Sequence, residues 1–293
     1  MLMHDQADEL RQLVLRETSA VAPAPSSGPR LIVVASGKGG AGATTVAIHL
    51  AMSLAHRGRP TLLVDADLNS ANATAKCHLE PKHSIADVLE GKKSIHEVLE
   101  RGPGGIQILP GAWGDRVSCL PSAQDRFIGQ LRQLAPHAEF VVLDVGRGFD
   151  RVVRRFWQTA DTILTVTTAE VVSVLDTYAA IKVLIGACPL ADVRSVVNFA
   201  SDQDAAADVH GRLQRACRRF LGIDVTCAGF IGDDPTLRAF TPGSLLRQAP
   251  VAAASFDALT TDILKVRPWR EAPAVARSLR AMPWEHGEAT DAA

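Results

Sequence analysis

The chain lacks any C-x-x-C pair. Its five cysteines, Cys77, Cys119, Cys188, Cys217 and Cys227, are scattered and odd in number. That pattern argues against a disulfide framework and a zinc site and fits a reducing cytoplasm. It disfavours an iron–sulfur centre for the same reason. Net charge is also nearly absent, −1 over 293 residues, so the chain carries no global signature of a nucleic-acid binder. The local exception, Arg212, Arg215, Arg218 and Arg219, reads as a solvated helix face. No run approaches the roughly 18–20 apolar residues of a membrane span. The acidic, helical start does not resemble a signal peptide. A cytoplasmic protein is expected.

What is present is ordinary for a folded chain, 47% hydrophobic and 22% charged residues, arranged in strong alternation. Apolar strand-like runs fall at Leu31–Ala35, Thr61–Asp65, Ile106–Leu109, Phe140–Asp144, Thr162–Thr167, Ser195–Phe199 and Val225–Ile231. Helical patterns at Thr44–Arg57, Asp125–Leu134, Val172–Ala187 and Ala205–Leu221 lie between them. Nearly continuous apolar strands separated by helices predict an α/β fold, a doubly wound, mostly parallel sheet covered on both faces. S-I-A-D-V-L-E at Ser84 and S-I-H-E-V-L-E at Ser94 predict two short helices, each with a Ser cap and an acidic residue three further on.

Four regions are expected. Residues 1–20 carry Ala7, Leu10, Leu13 and Val14 at helical spacing, an amphipathic helix of the kind that docks on something. Residues 21–30, with A-P-A-P-S-S-G-P inside them, form a linker. Residues 31–265 form the α/β domain, and 266–293 are a Pro-, Ala- and charge-rich tail.

The chemistry concentrates at Ser36–Thr45, S-G-K-G-G-A-G-A-T-T, directly after the first strand and at the start of a helix. That is the context of a phosphate-binding loop, in which glycines let backbone N–H groups turn inward at the positive end of a helix. The loop lacks one thing. Where a lysine ordinarily reaches the β- and γ-phosphates, this chain has Ala43. Carboxylates gather at the same expected sheet edge. Alternation points Asp65 and Asp67 the same way at the end of the second strand, and Asp144 ends the fourth. Three such groups beside a phosphate loop suit Mg²⁺ and an attacking water.

Lys38-Gly39-Gly40-Ala41-Gly42, then Ala43, then Thr44-Thr45, together with the D-A-D-L segment at Asp65, resembles the MinD/ParA family of deviant Walker A ATPases. Within it the chain is similar to the FlhG-like proteins. The resemblance runs through Ala160–Lys182, Val197-Asn198 and Phe230–Pro235, and covers nearly all of 31–265. It implies a P-loop NTPase fold with ATP or ADP and Mg²⁺ as cofactors. The nucleotide would be held by Gly37, Lys38, Gly39, Gly40, Ala41, Gly42, Ala43, Thr44 and Thr45, with Asn198 on adenine. Lys38 would reach the partner's ATP across a nucleotide-sandwich homodimer. Thr44 and Asp144 would serve Mg²⁺, Asp65 would support its shell, and Asp67 would orient water.

The N-terminal Asp5-Gln6-Ala7-x-x-Leu10-Arg11 resembles the D-Q-A-x-x-L-R helix with which FlhG-like proteins stimulate FlhF, an SRP-type GTPase. The function so implied is an ATP-binding regulator of flagellar number and placement. The competing readings are a ParA-type partitioning ATPase and a pseudo-ATPase scaffold unrelated to flagella. MinD-like proteins often carry a C-terminal amphipathic helix. Here Ala274–Met282 offers only Val275, Leu279 and Met282, so a peripheral place at the inner face of the membrane is secondary to a cytoplasmic one.

Departures from the family pattern set the expected activity. The proline after the fourth strand's aspartate is replaced by Gly146, followed by Arg147, which reads as a solvated arginine. Loss of one charged hydrogen bond to phosphate costs about 1.5–3 kcal/mol, roughly ten- to a hundredfold in affinity. Loss of a pre-placed transition-state donor costs a further factor of about 10²–10³ in rate. Nucleotide binding is therefore expected to outlast efficient turnover.

Overall fold

A computed structural model describes residues 28–113, 120–147, 151–188, 192–238 and 250–265. The expected N-terminal helix, most of the linker and the C-terminal tail lie outside these residues. Eight strands form one sheet in the order β3-β4-β2-β5-β1-β6-β7-β8. They are β1 Arg30–Ser36, β2 Thr61–Asp65, β3 Glu100–Arg101, β4 Gln107–Leu109, β5 Phe140–Arg147, β6 Thr162–Thr167, β7 Val193–Ala200 and β8 Thr226–Gly232. Neighbours pair in parallel except β3, which runs antiparallel to β4 at the edge.

The helices are α1 Ala43–His56, α2 Asn72–Lys76, α3 Ile85–Leu89, α4 Ile95–Val98, α5 Pro121–Gln133, α6 Arg151–Thr159, α7 Val171–Ala187, α8 Gln203–Leu221, α9 Pro235–Arg238 and α10 Pro250–Lys265. Both Ser-led segments are short helices, as their spacing predicts. The Ser84 N–H donates to Asp87 at 2.9 Å, and that of Ser94 donates to Glu97 at 2.8 Å. No described helix is long and apolar enough to cross a membrane.

Strand alternation divides the core into two. Leu31, Val33, Val141 and Leu143 face one side of the sheet and pack with Phe127 of α5, Phe156 and Trp157 of α6 and Leu184 of α7. Ile32, Val34, Phe140 and Val142 face the other and pack with Ile48 and Leu50 of α1 and with Phe256, Leu259 and Ile263 of α10. Burial on both faces is why the strands are apolar throughout rather than alternating with polar residues. Each buried large side chain contributes about 1.5–3 kcal/mol.

The sequence pattern predicts β2 and β6 to the residue. It does not anticipate β3, too short to carry a period, or α6 and α10. In α10 Thr260 bonds Ser53 of α1 at 2.9 Å, and Arg57 at the end of α1 bonds Thr261 at 2.6 Å. That helix therefore closes the second face rather than trailing from the domain.

The strand order positions the site. From β1 the chain turns to one side for β2, β4 and β5, then to the other for β6, β7 and β8. The crevice beyond the carboxyl end of β1 is such a reversal point, where open α/β sheets bind ligands.

Candidate functional site

The loop between β1 and α1 forms one wall of a cleft of about 530 Å³. Gly42 caps α1 in a left-handed conformation, φ 90°, and offers no side-chain cap. No acidic residue occupies the helix's first turn. The amides at the start of α1 therefore keep their positive potential toward the cleft. A β-carbon at Gly42 would lie 2.1 Å from Asn198 Nδ2, and one at Gly37 would lie 2.2 Å from the Asp176 backbone of α7. Glycine at 37 is thus fixed by helix packing, and at 42 by both packing and backbone sign.

Asn198 does more than line the cleft. Its Nδ2 donates to the Ala41 carbonyl at 2.9 Å and so ties the loop to β7. It can do so because β7 carries an extra residue relative to β8 between Asn198 and Ala200. The bulge residue, Phe199, adopts φ 57°, uncommon for a side chain this large. Asn198 and Phe199 then line the cleft with Ile231, Leu237 and Phe256 as its apolar portion. Phe256 stacks on His49 of α1, ring centroids 5.0 Å apart. His49 Nδ1 sits 2.6 Å from the Thr45 carbonyl, and burial holds its pKa down at about 4. The neutral ring must then carry its proton on Nδ1.

The three aspartates lie together but play separate parts. Strand alternation does not extend past Asp65, where β2 ends, so Asp65 and Asp67 do not form a facing pair. Asp65 is fully buried, and its Oδ2 accepts from the Thr74 N–H at 2.8 Å and hydroxyl at 2.7 Å. Thr74 Oγ1 in turn accepts from Gly111 N–H at 2.8 Å. Asp67 lines the cleft and accepts from Asn69 N–H at 3.1 Å and Ser70 Oγ at 2.9 Å. Asp144, at the register position beside Asp65, is fully buried.

Burial, reinforced by Asp144, pushes Asp65 up to about 7 against its Thr74 bonds. Burial pushes Asp144 up to about 6, opposed by the Thr44 hydroxyl and the Gly146 N–H. Asp65 Oδ1 and Asp144 Oδ2 are buried oxygens with no hydrogen-bond partner among the described residues. The orphaned oxygen of Asp144, whose carboxyl group also meets the Thr44 hydroxyl, and that of Asp65 at the neighbouring register position fit a divalent cation's surroundings. Among the described residues no three His, Cys, Asp or Glu side chains form a metal cage. Mg²⁺ takes few protein ligands and fills its octahedron with water and phosphate oxygens.

Exposed charges flank the loop at what we call the cleft's mouth, although neither Lys38 nor Glu170 is among the residues lining the cleft itself. Lys38 pairs with Glu170, the residue preceding α7. Ala43 occupies the first position of α1 with its side chain buried. Arg147 is exposed, as read from the sequence, yet it lines the cleft, as does Lys76.

The structure brings Gly39, Gly40, Gly42, Ala43, Thr44, Thr45, Asp67 and Asn198 to the cleft wall, while Asp65 and Asp144 lie buried behind it. Sequence reasoning missed Glu170, Thr74, Phe199 and Phe256. Only Phe199, adjacent to Asn198, carried a local signal.

The family described as an AAA domain matches residues 29–177. The antiactivator FleN of Pseudomonas aeruginosa is 33% identical over 211 residues, covering 71% of this chain and 75% of FleN. The flagellum site-determining protein YlxH of Helicobacter pylori is 27% identical over 184 residues, 62% of each chain. Among solved structures, the cell division ATPase MinD of Pyrococcus furiosus superposes with a TM-score of 0.68 at 25% identity, over 81% of this chain and 99% of that one. MinD of Pyrococcus horikoshii, complexed with Mg-ADP, gives 0.66 at 25%, over 81% and 96%. A glycine loop at the switch point, two buried carboxylates beneath it and these relatives agree: the chain belongs to the MinD/ParA family of P-loop ATPases, in its FlhG-like branch.

Proposed function

We propose that this chain is a nucleotide-responsive regulator of flagellar number and placement that holds ATP or ADP with Mg²⁺ in the cleft above β1. The observation that carries the reading is a complete backbone cradle whose lysine position is Ala43. The amides of the loop and of α1's first turn bind phosphate oxygens. Thr44 and Asp144 would hold Mg²⁺, with Asp65 supporting its shell, and the ion would supply charge neutralisation to the phosphate groups. Asp67, fixed by Asn69 and Ser70, orients a water. Asn198 faces the base while anchoring Ala41. Without a lysine at position 43, binding persists and turnover is slow or lost.

The flagellar output is supported by the similarity to YlxH, a flagellum site-determining protein. The partner assigned to the Asp5-Gln6-Ala7 helix is an SRP-type GTPase, and an ATP-dependent homodimer forms over the cleft's mouth. Support for the dimer is the Lys38–Glu170 pair lying beside Val171, Val172 and Leu175, large apolar side chains at least 56% exposed. A DNA-partitioning role is less well supported, because Arg212 pairs with Asp208 and Arg218 with Asp224.

Three measurements test this reading. Calorimetric titration with ATP and ADP, with sizing in each, should give binding of both and a dimer in ATP alone; failure to bind either sinks it. ATP turnover in Ala43→Lys should exceed wild type. Substantial Asp67-dependent turnover in wild type would refute the idle-site reading. Stimulation of an FlhF-type GTPase should vanish when residues 1–20 are removed; equal stimulation without them rejects the assigned partner.

A further inference from the structure

Two departures from the family pattern, Ala43 and Gly146-Arg147, meet in one cleft. β1 and β5 pair from Val34 with Asp144, and then Ser36 pairs with Arg147, so β5 carries one extra residue there. Gly146 supplies the left-handed φ of 62° that the bulge requires, and its missing side chain leaves room for Asp67. A β-carbon at Gly146 would lie 2.2 Å from Asp67 Oδ2. The consequence falls on the next residue. Arg147 is turned onto the phosphate loop, and a β-carbon at Gly39 would lie 3.0 Å from its Nη1.

We propose that Arg147 is the site's phosphate-binding cation, reaching from the carboxylate strand to the β- and γ-phosphates that the absent loop lysine would otherwise contact. The inference deepens the nucleotide reading above and rests on it. Arg147 forms no ion pair or hydrogen bond with the described residues, whereas Arg57, Arg59, Arg155, Arg194, Arg212 and Arg218 all pair with carboxylates. Lys38, the loop's own cation, is engaged by Glu170. Arginine suits the task. Its planar fork makes paired hydrogen bonds to phosphate oxygens, and its charge persists at every physiological pH. Because it approaches over Gly39 rather than from α1, it leaves the amides of the first helical turn unobstructed.

The test compares ATP, ADP and AMP binding to the full chain as wild type, Arg147→Gln, Arg147→Lys, Lys76→Gln, Ala43→Lys and Arg147→Gln with Ala43→Lys. Arg147→Gln should weaken ATP about ten- to a hundredfold, the loss of one charged contact, and leave AMP within about twofold. Arg147→Lys should fall between, and Ala43→Lys should restore much of the ATP affinity lost in Arg147→Gln. A gain from Ala43→Lys that is larger in the Arg147→Gln background than in wild type is what a merely structural arginine cannot give. Arg147→Gln binding ATP within about twofold of wild type overturns the assignment. So does loss confined to Lys76→Gln, which would place the role on that cation. Equal weakening of AMP and ATP also overturns it, by showing a general distortion. Wild type that binds none of the three nucleotides defeats the nucleotide reading itself. Melting temperatures accompany each titration, and if Arg147→Gln does not fold, Arg147→Lys with the Ala43→Lys rescue decides the question.

Discussion

The frame of the cleft and its mouth are built from different materials. The frame consists of Gly42, Asn198, Phe256, Asp65 and Thr74, buried or backbone-constrained groups whose partners are fixed within the domain. The mouth consists of Lys38, Glu170 and Arg147, charges on long or exposed side chains. A buried frame is specified many times over, by packing, by backbone sign and by hydrogen bonds, so it outlasts the loss of any single side chain around it. Charges at a mouth are specified by reach alone, so one can be lost from the loop and another delivered from a strand. Alanine at position 43 therefore leaves a recognisable site.

The sharpest test of that division is Phe256→Ala. Phe256 is buried in α10, stacks on His49 and lines the cleft. Its truncation should cost about 3–5 kcal/mol of stability, measured by urea unfolding. A cost below about 1 kcal/mol would remove Phe256 from the frame.

Next comes Asp65→Asn, read as a pH dependence. The folded-state pKa lies above the unfolded value of 3.8, at about 7. The folded protein holds the extra proton between those values, so this group's contribution favours folding most below about pH 4. It then declines as pH rises toward 7. Asp65→Asn should abolish that slope, a difference on the order of 2–4 kcal/mol across the window. Parallel stability curves for the two proteins would show that the carboxyl is not desolvated as described.

Gly42→Ala should cost about 1–3 kcal/mol, the price of a side chain at positive φ. It should also weaken ATP binding, because the new methyl meets the Asn198 amide. Retained ATP affinity would mean that the Asn198–Ala41 bond is dispensable to the loop.

The smallest effect on stability is expected at the mouth. Glu170→Ala should change stability by less than about 1 kcal/mol, since Lys38 and Glu170 are 37% and 66% exposed. It should nevertheless change the amount of dimer seen in ATP. A large loss of stability there would erase the distinction between frame and mouth.

The frame was legible in the sequence where it rests on short-range rules. Glycine spacing after an apolar strand located the loop, and Asp65 ends its strand as expected, whereas β5 runs three residues past Asp144 to Arg147. The mouth was less legible. Glu170 lies 132 residues from Lys38, and no local period links them. Arg147 read as solvated because exposure is the ordinary fate of arginine, and the bulge that re-aims it depends on pairing with β1. Alternation also failed between Asp65 and Asp67, because the strand had already ended. Thr74 and Gly111 entered only through contacts made across 9 and 37 residues.

The bulges in β5 and β7 also make the cleft depend on arithmetic. Side chains along a strand alternate with a period of two, so one residue more or less reverses everything beyond it. Deleting Gly146 would remove no charge and no ligand, yet it would turn Arg147 to the opposite face of the sheet. Deleting Phe199 would do the same to whatever follows Asn198. Both strands can therefore change what they present to the cleft by a change in length, with no change in the side chains themselves.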